Sequence, residues 1–441
     1  VSLFSGARRW VYPRTVQGRF QTLHRWTGRA LIGALFVGPW LSWGGHPLLR
    51  IDLPARRLHL AGQIFTAADG YLMVLGALLA AFSLFFASAL FGRLWCGYVC
   101  PQTVFLEEWV RRIEAWVEGD AAARLRRDRG PWTADRLARK AAKVGLLTVL
   151  AAALSLTVLA YFSGAVPTFT GQAGSATYTL AAVIAGAALA DWLWFREQLC
   201  IYLCPYARFQ SALTDEHSLT VGFAPGVPIR KGREAALAGD CIDCRKCVAA
   251  CPMGIDIREG FQLECINCAR CVDACESVMP ALGFDSHVRY TTIARDEGRP
   301  TRPVRPRTVA YGALVTGLAA ALLASLTLHD PVEVSLHRSP GTLYQVDADG
   351  FVRNTYLLRV VNNDAHSEHT FAVVVDDLPG AHVQIPELQL ASGEDRTVPL
   401  VVRVPLDQAR STLPLRITVR ADGRHRVVDT TFKGPVQEPN G

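Results

Sequence analysis

Four runs along the chain are apolar on every face of a helix, Asp191 apart, and each is long enough to cross a bilayer: Tyr71–Phe91, Val144–Phe162, Tyr178–Phe195 and Val309–Leu328. A spanning helix takes about 20 residues, and hydrophobicity all round, rather than along one stripe, suits lipid. A fifth run, Arg29–Trp43, is shorter and contains Pro39. Counting it as a span balances the charges. Segments 1–29, 93–143 and 196–308 then share one side and carry six, eleven and fifteen Lys/Arg, while loops 46–69 and 163–177 on the other side carry three and none. Such asymmetry marks the basic side as cytoplasmic, which puts everything after Leu328 in the periplasm of a multi-pass inner-membrane protein. The first 28 residues show no apolar core followed by a small-residue cleavage site, so no secretory signal is read there.

From Pro331 onward the pattern turns to strand-like alternation, in "YLLRVVNN", "HTFAVVVDD", "RTVPLVVRVP" and "LRITVRADGRHRVVDTTF". Asp422-Gly423 in the last of these is a hairpin signal. Short strands over this length predict an immunoglobulin-like sandwich, here without a disulfide, acting as a docking module. After Pro101, "TVFLEEWVRRIEAWVEG" sets Phe105, Trp109, Ile113 and Trp116 on one helical face, which suits a helix lying in the membrane interface or facing a partner. The Arg- and Pro-rich stretch Arg289–Arg307 reads as a linker. The domain order is therefore a membrane region over 1–220, a cytoplasmic insert over 221–300, a last span over 301–330 and an all-β domain over 331–441.

Composition sharpens this picture. The net charge of +7 does not point to nucleic acid, because the basic residues flank apolar runs instead of interleaving with aromatics. Of twelve cysteines, eight lie between Cys241 and Cys275, two are Cys96 and Cys100, and two are Cys200 and Cys204. Such clustering indicates metal ligation in a reducing compartment, not a secreted disulfide framework. Cys241-x2-Cys244-x2-Cys247-x3-Cys251-Pro252 is the bacterial ferredoxin run, and Cys265, Cys268, Cys271 and Cys275 repeat it. In two-cluster ferredoxins the fourth cysteine of each run ligates the other cluster. One [4Fe–4S] cluster is thus assigned to Cys241, Cys244, Cys247 and Cys275, the second to Cys265, Cys268, Cys271 and Cys251. A pair of zinc sites is the competing reading, but zinc rarely needs a third cysteine at x2 and a fourth at x3, twice over. Glu276 stands where the first run has its proline, a change that removes no ligand. Adjacent cubanes pass electrons.

A second repeat reads Cys-x-Tyr-x-Cys-Pro: "WCGYVCPQ" after the second span (Cys96, Cys100) and "LCIYLCPY" after the fourth (Cys200, Cys204). Spacing of four puts both sulfurs on one face of a continuous helix, but proline disfavours helical geometry at the preceding residue and starts a new helix well. Cysteine also serves simply as a small apolar residue. Two matching pairs instead suggest four thiols gathered at the cytoplasmic rim, suited to Cu(I), to an iron–sulfur centre or to dithiol–disulfide exchange.

With these motifs, "VYPRTVQGRF", the last span and the β-rich tail, the chain resembles the CcoG/FixG family of cytochrome c oxidase accessory proteins over essentially its whole length. The membrane cysteine motif alone is shared more widely, including with NapH-type quinol dehydrogenases. The resemblance implies an oxidoreductase that reduces Cu(II) to Cu(I) for assembly of cbb3-type oxidase, with Cys96, Cys100, Cys200 and Cys204 handling copper and the clusters supplying electrons. Assembly factors or copper chaperones and an unidentified electron donor are the implied partners, and a homo-oligomer stays open. Two other functions compete: a quinol-oxidising electron conduit, and a non-enzymatic redox-sensing scaffold. His46 and His59, in the outer loop, are further copper candidates, set against ordinary solvated histidines. Asp191 is an intramembrane acid suited to proton or metal work, or to reaching the interface. No CxxCH motif exists for covalent haem.

Overall fold

Helices long and apolar enough to span a membrane form at the four runs, as Gly70–Phe91, Ala134–Ser163, Ser175–Phe195 and Pro306–Thr327, in a computed structural model that describes residues 10–61, 63–66, 69–328, 332–362, 368–376, 380–421 and 424–435. The second starts ten residues before its apolar run, where the Thr133 hydroxyl accepts the Arg136 N–H (3.2 Å) as an N-cap. Its extra turns carry Arg136, Arg139, Lys140 and Lys143, good helix formers that hydropathy does not register.

The weaker first run belongs to a helix, Arg19–Val37, that also starts ten residues early. It packs on Ala134–Ser163, whose Tyr161 hydroxyl donates to the Leu35 carbonyl (2.9 Å), and on the helix after Pro101, where Gly28 abuts Glu108. Its Ile32 joins Val104, Phe105, Leu106, Val110, Leu147, Leu150 and Trp192 in the buried core of the helical region. The helix after Pro101 contributes Phe105, Trp109 and Ile113 to this core, while Trp116 stays exposed. Its polar face is buried too. Glu107, Arg111, Glu114 and Glu118 are all buried, which an interfacial helix with a solvated face would not show. Glu114 lies between Arg196 (2.6 Å) and Arg124 (2.5 Å). Burial raises its pKa, but the Arg196, Arg124 and Lys143 charges outweigh that and hold it at about 2.

The cysteine-rich segment closes on a two-stranded antiparallel sheet, Thr220–Phe223 with Val288–Thr291, and on two short helices, Lys246–Ala250 and Arg270–Glu276. Asp273 ties it to the first helix. Its carboxylate accepts the backbone N–H groups of Phe20 (3.2 Å) and Gln21 (2.7 Å), an N-cap supplied from a distant part of the chain. At Gly18 a Cβ would lie 2.3 Å from the Asp273 side chain, so a glycine admits the cap. These elements form one unit, Val1–Pro39 with Tyr71–Ala324.

The other unit, Trp40–Gly70 with Ser325–Gly441, is a sandwich of two antiparallel sheets. One orders His382–Gln384, Asp395–Pro405, Phe351–Asn362 and Val332–Arg338, with Gln345–Val346 also pairing Phe351–Asn362. The other orders Leu388–Leu390, His369–Asp376, Thr412–Ala421 and Arg424–Lys433. Alternating burial along Phe351–Asn362 sends Val352, Tyr356, Leu358 and Val360 into a core with Leu400, Ile417 and Phe432. The Asp422-Gly423 turn signal lies outside the described residues, though the strands on either side pair as a hairpin.

The segment between the first two apolar runs is not a plain loop. It forms a meander, Leu49–Asp52, Arg57–Leu60 and Gln63–Phe65. This meander belongs to the sandwich unit: Arg57 donates to the Gly393 carbonyl (2.7 Å), and the Thr66 hydroxyl to Glu333 (2.7 Å).

Candidate functional site

The two ferredoxin runs fold alike. In each, the residue before the second cysteine and the residue after it take left-handed backbone: Asp243 and Arg245 in the first, Asn267 and Ala269 in the second. Asp and Asn tolerate this region better than most residues, and such turns point successive N–H groups inward. Backbone N–H groups of Asp243, Val248, Ile255, Asn267 and Arg270 reach the sulfurs of Cys241, Cys247, Cys251, Cys265 and Cys268. Burial, opposed by these donors, pushes the Cys247 and Cys268 thiols up to about 12 and Cys265 to about 11. Thiols so desolvated ionise when a cationic metal centre takes the charge.

The packing brings the cysteines together across the two runs. Cys275, on Arg270–Glu276, faces Cys241 and Cys247, while Cys251 faces Cys265, Cys268 and Cys271. A cavity is lined by Cys251, Cys265, Cys268 and Cys271 together with Met253, Ile255 and Ile266. Cys247 is within reach of Cys271, so the two groups of four are neighbours. Among the described residues no three His, Cys, Asp or Glu side chains converge for a single metal ion.

The membrane cysteine pairs also fold alike, though not at the ends of the spanning helices themselves. Spanning helix Gly70–Phe91 stops at Phe91, and Ser175–Phe195 stops at Phe195. A left-handed residue follows in each case, Gly92 (φ +57°) and Arg196 (φ +54°). A single turn then carries the first cysteine: Leu94–Tyr98 holds Cys96, and Leu199–Leu203 holds Cys200. Cys100 (ψ 125°) and Cys204 (ψ 114°) are extended, and Pro101 and Pro205 open the next helices, as the proline rule predicts.

These repeats bring all four thiols together. Cys100, Cys96 and Cys204 all face Cys200, and Asp191 sits on the same side. Burial, then Cys100, push the Cys96 thiol up to about 12. No disulfide joins any of the twelve cysteines. Cys96 and Cys200 pack against the buried cluster of Met253, Ile266 and Cys268, against which Cys251 also packs, so the thiol group lies beside the second cysteine cavity. Gly97 permits this approach: a Cβ there would stand 2.6 Å from the Ile266 carbonyl oxygen and 3.1 Å from the Cys268 backbone.

Several positioning residues carry no motif. The Cys96 thiol donates to Gln210 (3.4 Å), whose own amide donates to the Gly92 carbonyl (2.9 Å). Asn267 donates to the Leu219 carbonyl (2.9 Å) and accepts from the Val221 N–H (3.3 Å), fixing the second run to the sheet. Tyr98 faces the Tyr290 hydroxyl (3.3 Å), which donates to the Asn267 carbonyl (2.6 Å). A buried polar residue next to a motif was the available signal, and sequence alone does not show which are buried. His46 and His59 lie in the other unit, their rings 6.0 Å apart and nearly parallel, with His46 also bonded to Ser392 (3.0 Å).

A family described as "4Fe-4S dicluster domain" matches residues 195–293, one described as "4Fe-4S binding domain" matches 73–117, and "IG-like fold at C-terminal of FixG" matches 322–435. Protein RdxB of Cereibacter sphaeroides is 32% identical over 96% of this chain and 96% of its own length. The chain belongs to the FixG family. The nitrogen fixation protein FixG of Rhizobium meliloti is 31% identical, covering 91% of this chain and 87% of that protein. A crystal structure of a FixG-related protein from Vibrio parahaemolyticus covers 24% of this chain and 97% of that one, at 20% identity and a TM-score of 0.22. The chain is thus an integral membrane iron–sulfur protein of this family, with an immunoglobulin-like C-terminal domain.

Proposed function

We propose that this protein is a membrane cupric reductase serving the assembly of cbb3-type cytochrome oxidase. Cys241, Cys244, Cys247 and Cys275 would hold one [4Fe–4S] cluster, and Cys251, Cys265, Cys268 and Cys271 the other. Bound clusters supply electrons one at a time, originating from a low-potential one-electron donor. The chain's own part is to hold the substrate. Cys96, Cys100, Cys200 and Cys204 offer four soft sulfurs to copper, and each thiol that ligates it gives up its proton. Each Cu(II) takes one electron and leaves as Cu(I).

The observation that carries this reading is the packing of Cys96 and Cys200 against the buried group that contains Cys268, against which Cys251 also packs. That packing supports a short path between the thiols and the cysteines assigned to the second cluster. The loop strands 49–65 pack in one unit with the C-terminal sandwich, four spanning helices apart in sequence, which supports placing both on one side of the membrane, and the distribution of basic residues favours the periplasmic side.

A second reading has support in the match of residues 73–117 to a 4Fe-4S binding family, since that segment contains Cys96 and Cys100. In it the four thiols hold a third cluster. Metal analysis of anaerobically purified protein separates the two. About eight irons per chain, with copper retained only while all four thiols are present, supports the copper site; about twelve irons supports the third cluster.

A further inference from the structure

A cavity of about 610 Å³ opens beside the cysteine-rich region, between the start of the first helix and the helix that follows Pro101. It uses none of the twelve cysteines. Arg14, Arg25, Arg29, Arg111, Arg124 and Arg270 are among its lining residues, with Arg112 a seventh arginine against three carboxylates: Glu107, Glu108 and Asp120. The floor is neutralised, since Arg111 and Arg270 both pair with Glu107, and Arg124 with Glu114. The rim is not. Arg14, Arg25 and Arg29 have no ion-pair partner among the described residues, and they leave an uncompensated positive field over a preformed hollow.

The walls also hold unspent hydrogen-bonding capacity. Buried atoms here without a hydrogen-bond partner are the Nε–H groups of Arg111, Arg124 and Arg270, the Gln21 carbonyl oxygen, on a residue 5% exposed, and carboxylate oxygens of Glu107 and Glu108. Buried polar atoms are rarely left unpaired. Arg270 and Arg112 answer the Glu107 and Glu108 carboxylates as ion pairs, so the hollow stays basic and suits an anionic ligand, with the Gln21 oxygen open to a hydroxyl.

Position selects the source. Arg25 and Arg29 are one turn apart on the first helix, directly before its apolar part, where Leu31 (38%) and Val37 (51%) are exposed along the bundle surface. A phosphodiester seated at the rim would have its acyl chains beside those residues. We propose that this cavity binds the headgroup of an acidic phospholipid of the phosphatidylglycerol type. The phosphodiester sits among Arg14, Arg25 and Arg29, and a glycerol hydroxyl donates to Gln21. Basic pockets at the cytoplasmic ends of spanning helices hold acidic headgroups by the same physics.

The test uses the full chain with its clusters, exchanged into neutral detergent and analysed by native mass spectrometry with added phosphatidylglycerol or phosphatidylcholine. Wild type should retain one phosphatidylglycerol per chain and reject phosphatidylcholine. The R14Q/R25Q/R29Q variant should lose that affinity roughly a hundred-fold, given the contribution expected of each basic residue. The matching triple lysine variant, which keeps the charge, should retain binding. These rim residues take no part in cluster or thiol contacts, so unchanged visible absorption verifies the fold. Equal retention of both lipids, equal affinity in the triple glutamine variant, or full displacement by millimolar inorganic phosphate would each overturn the proposal. None of these outcomes depends on copper reduction.

Discussion

Gly97→Ala tests the close approach of the Cys96 turn to the second ferredoxin run. The position is helical with no positive φ, so by propensity alone alanine should stabilise it by about 1 kcal/mol. The added Cβ, however, meets the Ile266 carbonyl oxygen at 2.6 Å, nearly an ångström inside ordinary contact, and the partner is backbone. Overpacking of this kind costs about 1–3 kcal/mol. The net result is a loss of up to about 2 kcal/mol, and a wedge between the Cys96 turn and the second ferredoxin run. Gly76→Ala, in a spanning helix where a Cβ meets nothing within 4 Å, supplies the control and should be neutral or stabilising. The assay is the temperature at which the visible iron–sulfur absorption bleaches, which should fall by several degrees for Gly97→Ala, together with the EPR spectrum of the reduced protein. If the two alanine variants bleach together with unchanged spectra, the close approach inferred here is wrong.

Other consequences follow from single contacts. Asp273→Ala removes the cap on Phe20 and Gln21 and should cost about 1–2 kcal/mol, seen as easier proteolysis at the start of the first helix without loss of iron. Glu114 is held at about 2, below the ordinary 4.5. A depressed carboxylate stabilises the fold above its unfolded pKa and loses that contribution as pH falls through the folded one. The contribution, about 3 kcal/mol, is therefore complete at pH 7 and declines between about pH 5 and 2; Glu114→Gln should unfold more easily at pH 7 and show a flatter acid slope by tryptophan fluorescence. The crossed ligand assignment is tested by paired variants: Cys244→Ser with Cys275→Ser should damage one cluster and spare about four irons, whereas Cys244→Ser with Cys251→Ser should damage both. Equal iron loss in the two pairs contradicts the crossing.

Much of this architecture is written in local pattern. The spans announce themselves because lipid demands apolar residues on every face, and the ferredoxin runs because a cubane fixes its ligand spacing. Pro101 and Pro205 foretold the helix breaks at Cys100 and Cys204. What stayed hidden depends on partners distant in the chain. Asp273 looks like an ordinary acid between two cysteines until the first helix ends on it. Glu107 and Glu114 look solvated until Arg270 and Arg196 arrive. The meander 49–65 does alternate, in "LRIDL" and "RLHL", but such short strands carry little signal without the sandwich they join. Gly97 has no sequence mark to distinguish close approach from flexibility.

The central claim is that electrons held by the clusters reach copper through Cys96, Cys100, Cys200 and Cys204. The direct measurement reduces the cluster-loaded protein anaerobically, removes excess reductant, adds Cu(II) and follows cluster reoxidation alongside Cu(I) trapped by a specific chelator. Wild type should yield one Cu(I) for each electron the clusters lose, and a variant with all four thiols changed to serine, its iron and sulfide intact, should keep its clusters reduced and form no Cu(I). Cu(I) appearing at the wild-type rate in that variant would contradict the account.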